Sequence, residues 1–459
     1  MIVNAQSSSV IDSVSYREGS NPDLEPVDGN DKRLEAGAST PRRASRTTVL
    51  AAALGNGLEF FDFTVYSFFA ALIGKLFFPV GSELGSLMLS LATFGVGFVV
   101  RPLGSIVIGA YADRAGRKPA LMFTVSMMAL GTGLIGLAPT YAQIGVAASA
   151  LIVIGRLLQG FAAGGEVGAA TTLLMEAGGK GRRGMLVSWQ MAGQGGALLT
   201  GALIAVAVSK GLTHEALVSW GWRVPFIVGL LIGPVGFYLR VRLDDTFEPV
   251  SAVTGSRAEP THRRRSPLPM RQVVAGTMLV IGGTASMYTI AFFLPSFLAM
   301  TLHVPPATSL LAGCAAGLVL LIGSPCAGWL ADRIPRRKTL LYAVSIVSLM
   351  LVLPAFRAIA AMPTIGVILA VVCLLVGLMT LSSPAGFVLM LEALRPEVRA
   401  TSLGIIYALG VTIFGGFAQL IVSTLWRWSG SFYAPAWYVL ACGVVSLVGL
   451  VLYPETSEL

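Results

Sequence analysis

Stretches of mostly apolar residues, each long enough to cross a hydrocarbon core of ~30 Å as a helix of about 20 residues, alternate along the chain with short polar segments. Twelve are found, near 48–74, 87–111, 119–138, 144–175, 187–209, 222–241, 272–301, 307–331, 338–358, 364–391, 400–426 and 433–453. The pattern predicts an all-α membrane protein. Residues 1–47 are rich in Ser, Asp, Glu, Gly and Arg and carry no apolar core of a cleaved signal peptide, so a disordered cytoplasmic tail is expected there. The polar segment 242–271 is expected to be a cytoplasmic linker between six-helix halves at 48–241 and 272–459.

Composition agrees with a membrane solvent. Of 459 residues 55% are hydrophobic and only 12% charged, against about 25% charged in soluble domains. The net charge of +9 could suggest nucleic acid, but the basic residues recur as short clusters between spans. Arg42/Arg43/Arg46, Arg114/Arg117/Lys118, Lys180/Arg182/Arg183, Arg263/Arg264/Arg265, Arg333/Arg336/Arg337/Lys338 and Arg395/Arg399 all fall on one side. That is the positive-inside signal; it places both termini in the cytoplasm and requires an even number of spans. No nucleic-acid partner is expected. The four cysteines lie in apolar runs and read as small core residues. The three histidines lie in or near loops, so no metal site, cofactor or His-based catalytic set is expected, and the chain does not read as an enzyme. No phosphate-binding G-x-x-x-x-G-K-[S/T] loop is present, which leaves an ion gradient to drive any uphill movement.

Against this background the charges inside spans stand out. In GNGLEFFDFTVY (55–66), Asn56, Glu59, Asp62, Phe63 and Tyr66 recur at three- and four-residue spacing and share one stripe of the first helix. Glu59 and Asp62 lie roughly 16 and 21 Å from its start at ~1.5 Å per residue. An isolated ionised carboxylate at such depth costs about 2.5 kcal/mol or more, so these are candidate proton carriers. Their alternative is a permanent buried pair with an arginine. Arg101 and Arg156 are as deep; a guanidinium stays charged and grips carboxylates with two hydrogen bonds, which makes either one an anchor for an anionic substrate or a structural partner of Glu59, Asp62 or Glu166. Gln159 follows Arg156, and Gly160, Gly164 and Gly168 at four-residue intervals predict close approach of another helix. Gln190, Gln194 and Tyr288 are further candidate cavity residues, although such groups also simply bond neighbouring helices. Glu166, closer to the cytoplasm, reads as gate or packing.

The two halves resemble each other. GAYADRAGRKPAL (109–121) follows the second span and GWLADRIPRRKTL (328–340) the eighth; later in each half a span ends in an acid before basic residues, Glu176 with Arg182/Arg183 and Glu392 with Arg395/Arg399. A duplicated six-helix unit points to a transporter with its substrate site between the halves near the bilayer midplane. The G-x-x-x-D-R-x-G-R-K pattern of Gly109, Asp113, Arg114, Gly116, Arg117 and Lys118 resembles the major facilitator superfamily; the second copy, with Asp332, Arg333, Arg336 and Arg337, is degenerate at Pro335. The motifs GNxxExxDF (55–63), RPxG (101–104), GRLLQGFxxGxExG (155–168) and WGWRxPF (220–226) are similar to the metabolite:proton symporter branch. Within it, GAYADRAGRK and ELGSLMLSLATFGVGFVVRPLG look most similar to citrate and tricarballylate proton symporters.

The resemblance implies twelve helices in two pseudo-symmetric halves, alternating access, and import of an organic anion with protons across a bacterial-type inner membrane, the carrier acting as a monomer. It also implies a cytoplasmic latch built from Asp113, Arg114, Arg117, Lys118, Glu166, Glu176, Asp332, Arg333, Arg336 and Glu392. Other branch members take shikimate, dicarboxylates, proline or betaine, and a nutrient receptor that binds without transporting is the alternative of another class.

Overall fold

The computed structural model describes residues 46–115, 117–164, 166–179, 181–242 and 268–455. Nearly all of the expected tail (1–45) and most of the expected linker (243–267) lie outside the described residues, but Arg46 and Thr47 already belong to the first helix. The helices are α1 (Arg46–Phe68), α2 (Ala70–Phe77), α3 (Glu83–Val99), α4 (Arg101–Ala115), α5 (Arg117–Gly136), α6 (Val146–Ala163), α7 (Glu166–Ala177), α8 (Arg183–Gly211) and α9 (Arg223–Arg242). After the linker come α10 (Met270–Ser286), α11 (Pro306–Arg333), α12 (Arg337–Ala361), α13 (Ile365–Glu392), α14 (Arg399–Val411), α15 (Ala418–Ser429) and α16 (Ala434–Leu452).

A helix stands at each of the twelve expected positions, several of them broken. Among the described residues nine helices are long and apolar enough to cross a membrane, and a tenth if α1 and α2, bent by 67°, form one span. The other two positions are taken by α5, whose apolar stretch Met122–Gly136 is shorter, and by α9. Backbone breaks inside spans are tolerated where neighbouring helices satisfy the freed groups. Two such breaks are wide π-helical turns, Met287–Phe293 after α10 and Thr412–Gly416 between α14 and α15.

Local sequence chemistry sets the ends. Ser82 caps α3, its hydroxyl accepting from Gly85 N at 3.0 Å, and Thr364 caps α13 through Val367 N. Gly430, at φ +62°, closes α15 in the left-handed conformation that favours glycine. Apolar side chains turned outward, such as Ile106 at 71% and Met350 at 69% exposure, suit a lipid surround.

Helix α8 packs along α1 on one side and along α11 on the other, joining elements from before and after the linker. Helix α6 lies against α3 and α4, and here the glycine spacing seen in the sequence acts. A Cβ at Gly160 would collide with the carbonyl oxygen of Gly97, and one at Gly164 with that of Arg101. Gly160→Leu is therefore expected to eliminate monodisperse detergent-solubilised protein in size-exclusion chromatography. Gly181→Leu, at a glycine where an added Cβ would meet nothing within 4 Å, is expected to leave that peak intact.

Candidate functional site

The stripe on α1 is buried and meets the deep arginines of α4 and α6. Glu59, 1% exposed, accepts a hydrogen bond from Arg101 Nη2 at 2.5 Å, an ion pair sealed from solvent. The Arg101 guanidinium also lies 4.1 Å from the ring centre of Phe98 and 4.9 Å from that of Phe63. Asp62 is held differently. Its Oδ2 accepts from the hydroxyl of Thr132 on α5 and from Gln159 Nε2 at 3.1 Å. Gln159 in turn accepts from Arg156 Nη1 at 2.7 Å through its Oε1. Arg156 thus reaches Asp62 through one amide rather than by direct pairing.

Aromatic rings enclose the Arg156 guanidinium, with Tyr66, Phe94 and Phe63 centred 4.5, 4.8 and 4.9 Å away. Such cation–π contacts stabilise a cation out of water by roughly 0.5–2 kcal/mol each but accept none of its hydrogen bonds. Nε and Nη2 of Arg156 are buried and have no hydrogen-bond partner among the described residues. A buried charged donor left unsatisfied costs about 1–3 kcal/mol or more, and an anionic group arriving there would recover that cost.

Two cavities adjoin the cluster, and they are separate. A narrow crevice is lined by Gly55, Glu59 and Asp62 of α1, Thr124 and Thr132 of α5, and Gly229 and Gly233 of α9. A larger cavity lies mostly among α10, α12, α13 and α16, with Phe60, Met191 and Gln194 completing its wall. Its polar groups are hydroxyls and amides, including Ser345, Ser348, Ser382, Ser383, Tyr288 and Gln194, and among the described residues none that lines it is charged. The ring of Tyr288 stands between this cavity and the arginines, packed at 5.5 Å on Phe98 and 6.2 Å on Phe94, and its buried hydroxyl has no hydrogen-bond partner among the described residues. Tyr288 lies in the π-helical turn Met287–Phe293, and a Cβ at Gly415 in the other wide turn would meet its ring. Irregular turns of this kind cluster at functional positions.

The chain matches the sequence profile described as Major Facilitator Superfamily over residues 52–410, with a second match over 275–459. It belongs to the major facilitator superfamily. Among its relatives in the superfamily, a citrate-proton symporter of Klebsiella pneumoniae is 35% identical, the match covering 90% of this chain and 95% of that one. An alpha-ketoglutarate permease of Escherichia coli is 32% identical, covering 90% and 95%, and a glycine betaine/proline/ectoine/pipecolic acid transporter of Dickeya dadantii 31%, covering 90% and 84%. A solved D-xylose-proton symporter superposes with a TM-score of 0.70 at 18% identity, covering 90% of this chain and 98% of that one. The fold is that of the superfamily, and the chain is a multi-pass membrane transporter rather than an enzyme.

On the face bearing the basic loops, charged residues join helices from before and after the linker. Glu392 accepts from Arg183 Nη1 at 2.8 Å and, through its other oxygen, from Arg337. Arg399 donates to Glu176 at 3.1 Å and to the carbonyl of Leu391 at 2.8 Å. Asp332 accepts from the backbone N–H groups of Gly184 and Met185 at 2.7 and 2.8 Å, capping α8 from another helix. Arg333 instead stacks on Trp329 of its own helix, 3.7 Å from the ring centre, and Arg336 is exposed; of this cluster it is Arg337 that joins Arg183 on Glu392. The side chains of Asp113, Arg114, Arg117, Lys118 and Glu166 lie outside the described residues.

Of the other candidates, Asn56 accepts from Gln194 at 2.7 Å, and Tyr66 donates to the carbonyl of Ser90 at 3.2 Å while its ring lies by Arg156. Gln190 bonds Thr171 on α7 and lines neither cavity. The four deep charges do not share one vestibule: Glu59 and Asp62 line the crevice, whereas Arg101 and Arg156 line neither cavity. Thr132, Ser345 and Ser348 were not among the expected site residues. Single hydroxyls within apolar spans carry little signal, because most bond their own helix.

Proposed function

We propose that the protein is a proton-coupled importer of an organic acid, a tricarboxylate such as citrate or tricarballylate, working by alternating access in a bacterial-type inner membrane with both termini cytoplasmic. The observation that carries this reading is Arg156, a buried guanidinium with free donors, linked through Gln159 to Asp62. A substrate carboxylate docks on Arg156 once Tyr288 swings aside, and the hydroxyls of the larger cavity hold the rest of the molecule. Protonation of Asp62 weakens its hold on Gln159 and so on Arg156, which couples proton and anion. The names of the citrate-proton symporters among the relatives favour the same substrate class. The uncharged lining of the larger cavity favours a second reading, a zwitterion such as proline or betaine.

Labelled citrate should enter proteoliposomes saturably under an inward proton gradient, competed by excess tricarballylate but not by proline. Uptake of proline alone would establish the second reading, and binding without flux would make the protein a receptor.

The ion-pair network on the basic face is proposed as the latch of the state shown. Its pairs are partly buried, and ion pairs still reached by water contribute about 1 kcal/mol each, so several together bias an equilibrium without locking it. Glu392→Gln frees Arg183 and Arg337 at once. In a background without native cysteines, it is expected to raise labelling of Ser188→Cys, a buried position of α8, by a water-borne thiol reagent about three- to tenfold. Unchanged labelling would remove Glu392 from the latch.

A further inference from the structure

The carboxyl group of Asp62 has two sides. Its Oδ2 is turned to Thr132 and Gln159, and through Gln159 to Arg156. Its Oδ1 is buried without a hydrogen-bond partner among the described residues, and Asp62 lines the narrow crevice between α1, α5 and α9. Among the described residues none that lines this crevice comes from beyond the linker, and none is shared with the larger cavity. Small residues create it: Gly55, Ala129, Ala162, Gly229 and Gly233. A Cβ at Gly229 would stand 2.9 Å from Asp62 Oδ1. The free space is about 30 Å³, where one water molecule needs roughly 10–15 Å³, and two carboxyl and two threonine side chains line it.

The crevice also has a direction. On α1 it runs from Asp62 to Gly55, on α5 from Thr132 to Thr124, and on α9 from Gly229 to Gly233. At ~1.5 Å per residue these are displacements of about 10, 12 and 6 Å. Each leads toward the helix end that carries a basic residue of the loop face, Arg46, Arg117 or Arg242. Among the described residues the charged groups around Asp62 are Glu59, Arg101 and Arg156, while α5 and α9 present only hydroxyls and small or apolar side chains to it. In the second set of helices the corresponding place, between α10, α12 and α16, belongs to the larger, uncharged cavity.

We propose that the crevice between α1, α5 and α9 is a proton passage of its own, connecting Asp62 to the basic-loop face by a route that the substrate does not enter. The inference rests on the proton-coupled reading and deepens it. The proton taken up on Asp62 leaves Oδ1 for a water in the crevice and is handed on past the Thr124 hydroxyl toward the basic-loop face, while the anion departs through the larger cavity. The aromatic rings of Phe63, Phe94 and Phe98 keep the two routes apart.

The test fills or dries the crevice without touching the arginines. A Cβ at Gly233 makes only ordinary contact, 3.5 Å from Ala129 Cβ, so Gly233→Leu extends into the free space; Thr124→Val removes a hydroxyl at constant volume. In proteoliposomes, both variants are expected to lose gradient-driven citrate accumulation and citrate-linked proton uptake, Gly233→Leu at least tenfold and Thr124→Val about threefold. Citrate counterflow at equal pH, which needs no net proton release, is expected to stay within twofold of the parent and also reports that the carrier is folded. Parent-like accumulation in both variants would overturn the passage, as would parallel loss of counterflow and accumulation in Thr124→Val. If the unaltered protein moves citrate without protons, it is the proton-coupled reading that fails.

Discussion

Arg156→Ala is expected to abolish citrate binding and counterflow alike. Each charge-assisted hydrogen bond contributes about 1.5–3 kcal/mol, so losing the two free donors Nε and Nη2 costs on the order of 10²-fold or more in affinity. Because Gln159 then loses its donor as well, Asp62 is left without a cation on that side. Arg156→Lys is expected to recover little. An ammonium cannot reproduce the planar fork, nor fill the box formed by Tyr66, Phe63 and Phe94. Isothermal titration with citrate in detergent decides the point, and affinity within threefold of the parent in either variant would move the anchor elsewhere.

Asp62→Asn separates coupling from translocation. The amide keeps the shape and can still accept from Thr132 and Gln159, but it cannot exchange a proton. Gradient-driven accumulation is expected to fall to the passive level, a loss of at least tenfold, with counterflow retained. Glu59 is a different case, since its partner Arg101 is buried with it. Removing one member of a buried ion pair costs about 3–5 kcal/mol, so Glu59→Gln is expected to lower the thermal midpoint as well as transport. Stability of Asp62→Asn close to the parent would distinguish a proton site from structural pairing.

The fold was legible because hydrocarbon imposes a simple rule. Every expected span coincides with a helix, and the glycine ladder Gly160/Gly164 lies where α6 meets α3 and α4. The breaks were not legible. The bend between α1 and α2 and the wide turns at Met287–Phe293 and Thr412–Gly416 leave no mark in hydropathy. The site was legible at its charges, since depth alone singles out Glu59, Asp62, Arg101 and Arg156. How they pair was not. Helical spacing puts Glu59 and Asp62 on one face, yet one meets Arg101 directly while the other reaches Arg156 only through Gln159. Thr132, which completes the Asp62 contacts, is one hydroxyl in an apolar helix, and its partner is 70 residues away. On the basic face the acids Glu176 and Glu392 were recognisable, whereas nothing in the spacing of the basic residues marks that Arg337 reaches Glu392 while Arg333 stacks on Trp329.

The linkage of anion and proton is tested most directly by adding citrate to pyranine-loaded proteoliposomes at equal pH and clamped membrane potential. Internal acidification that begins with citrate entry, saturates with it and disappears in Asp62→Asn is the predicted trace. Citrate entry with no change in internal pH would contradict the account.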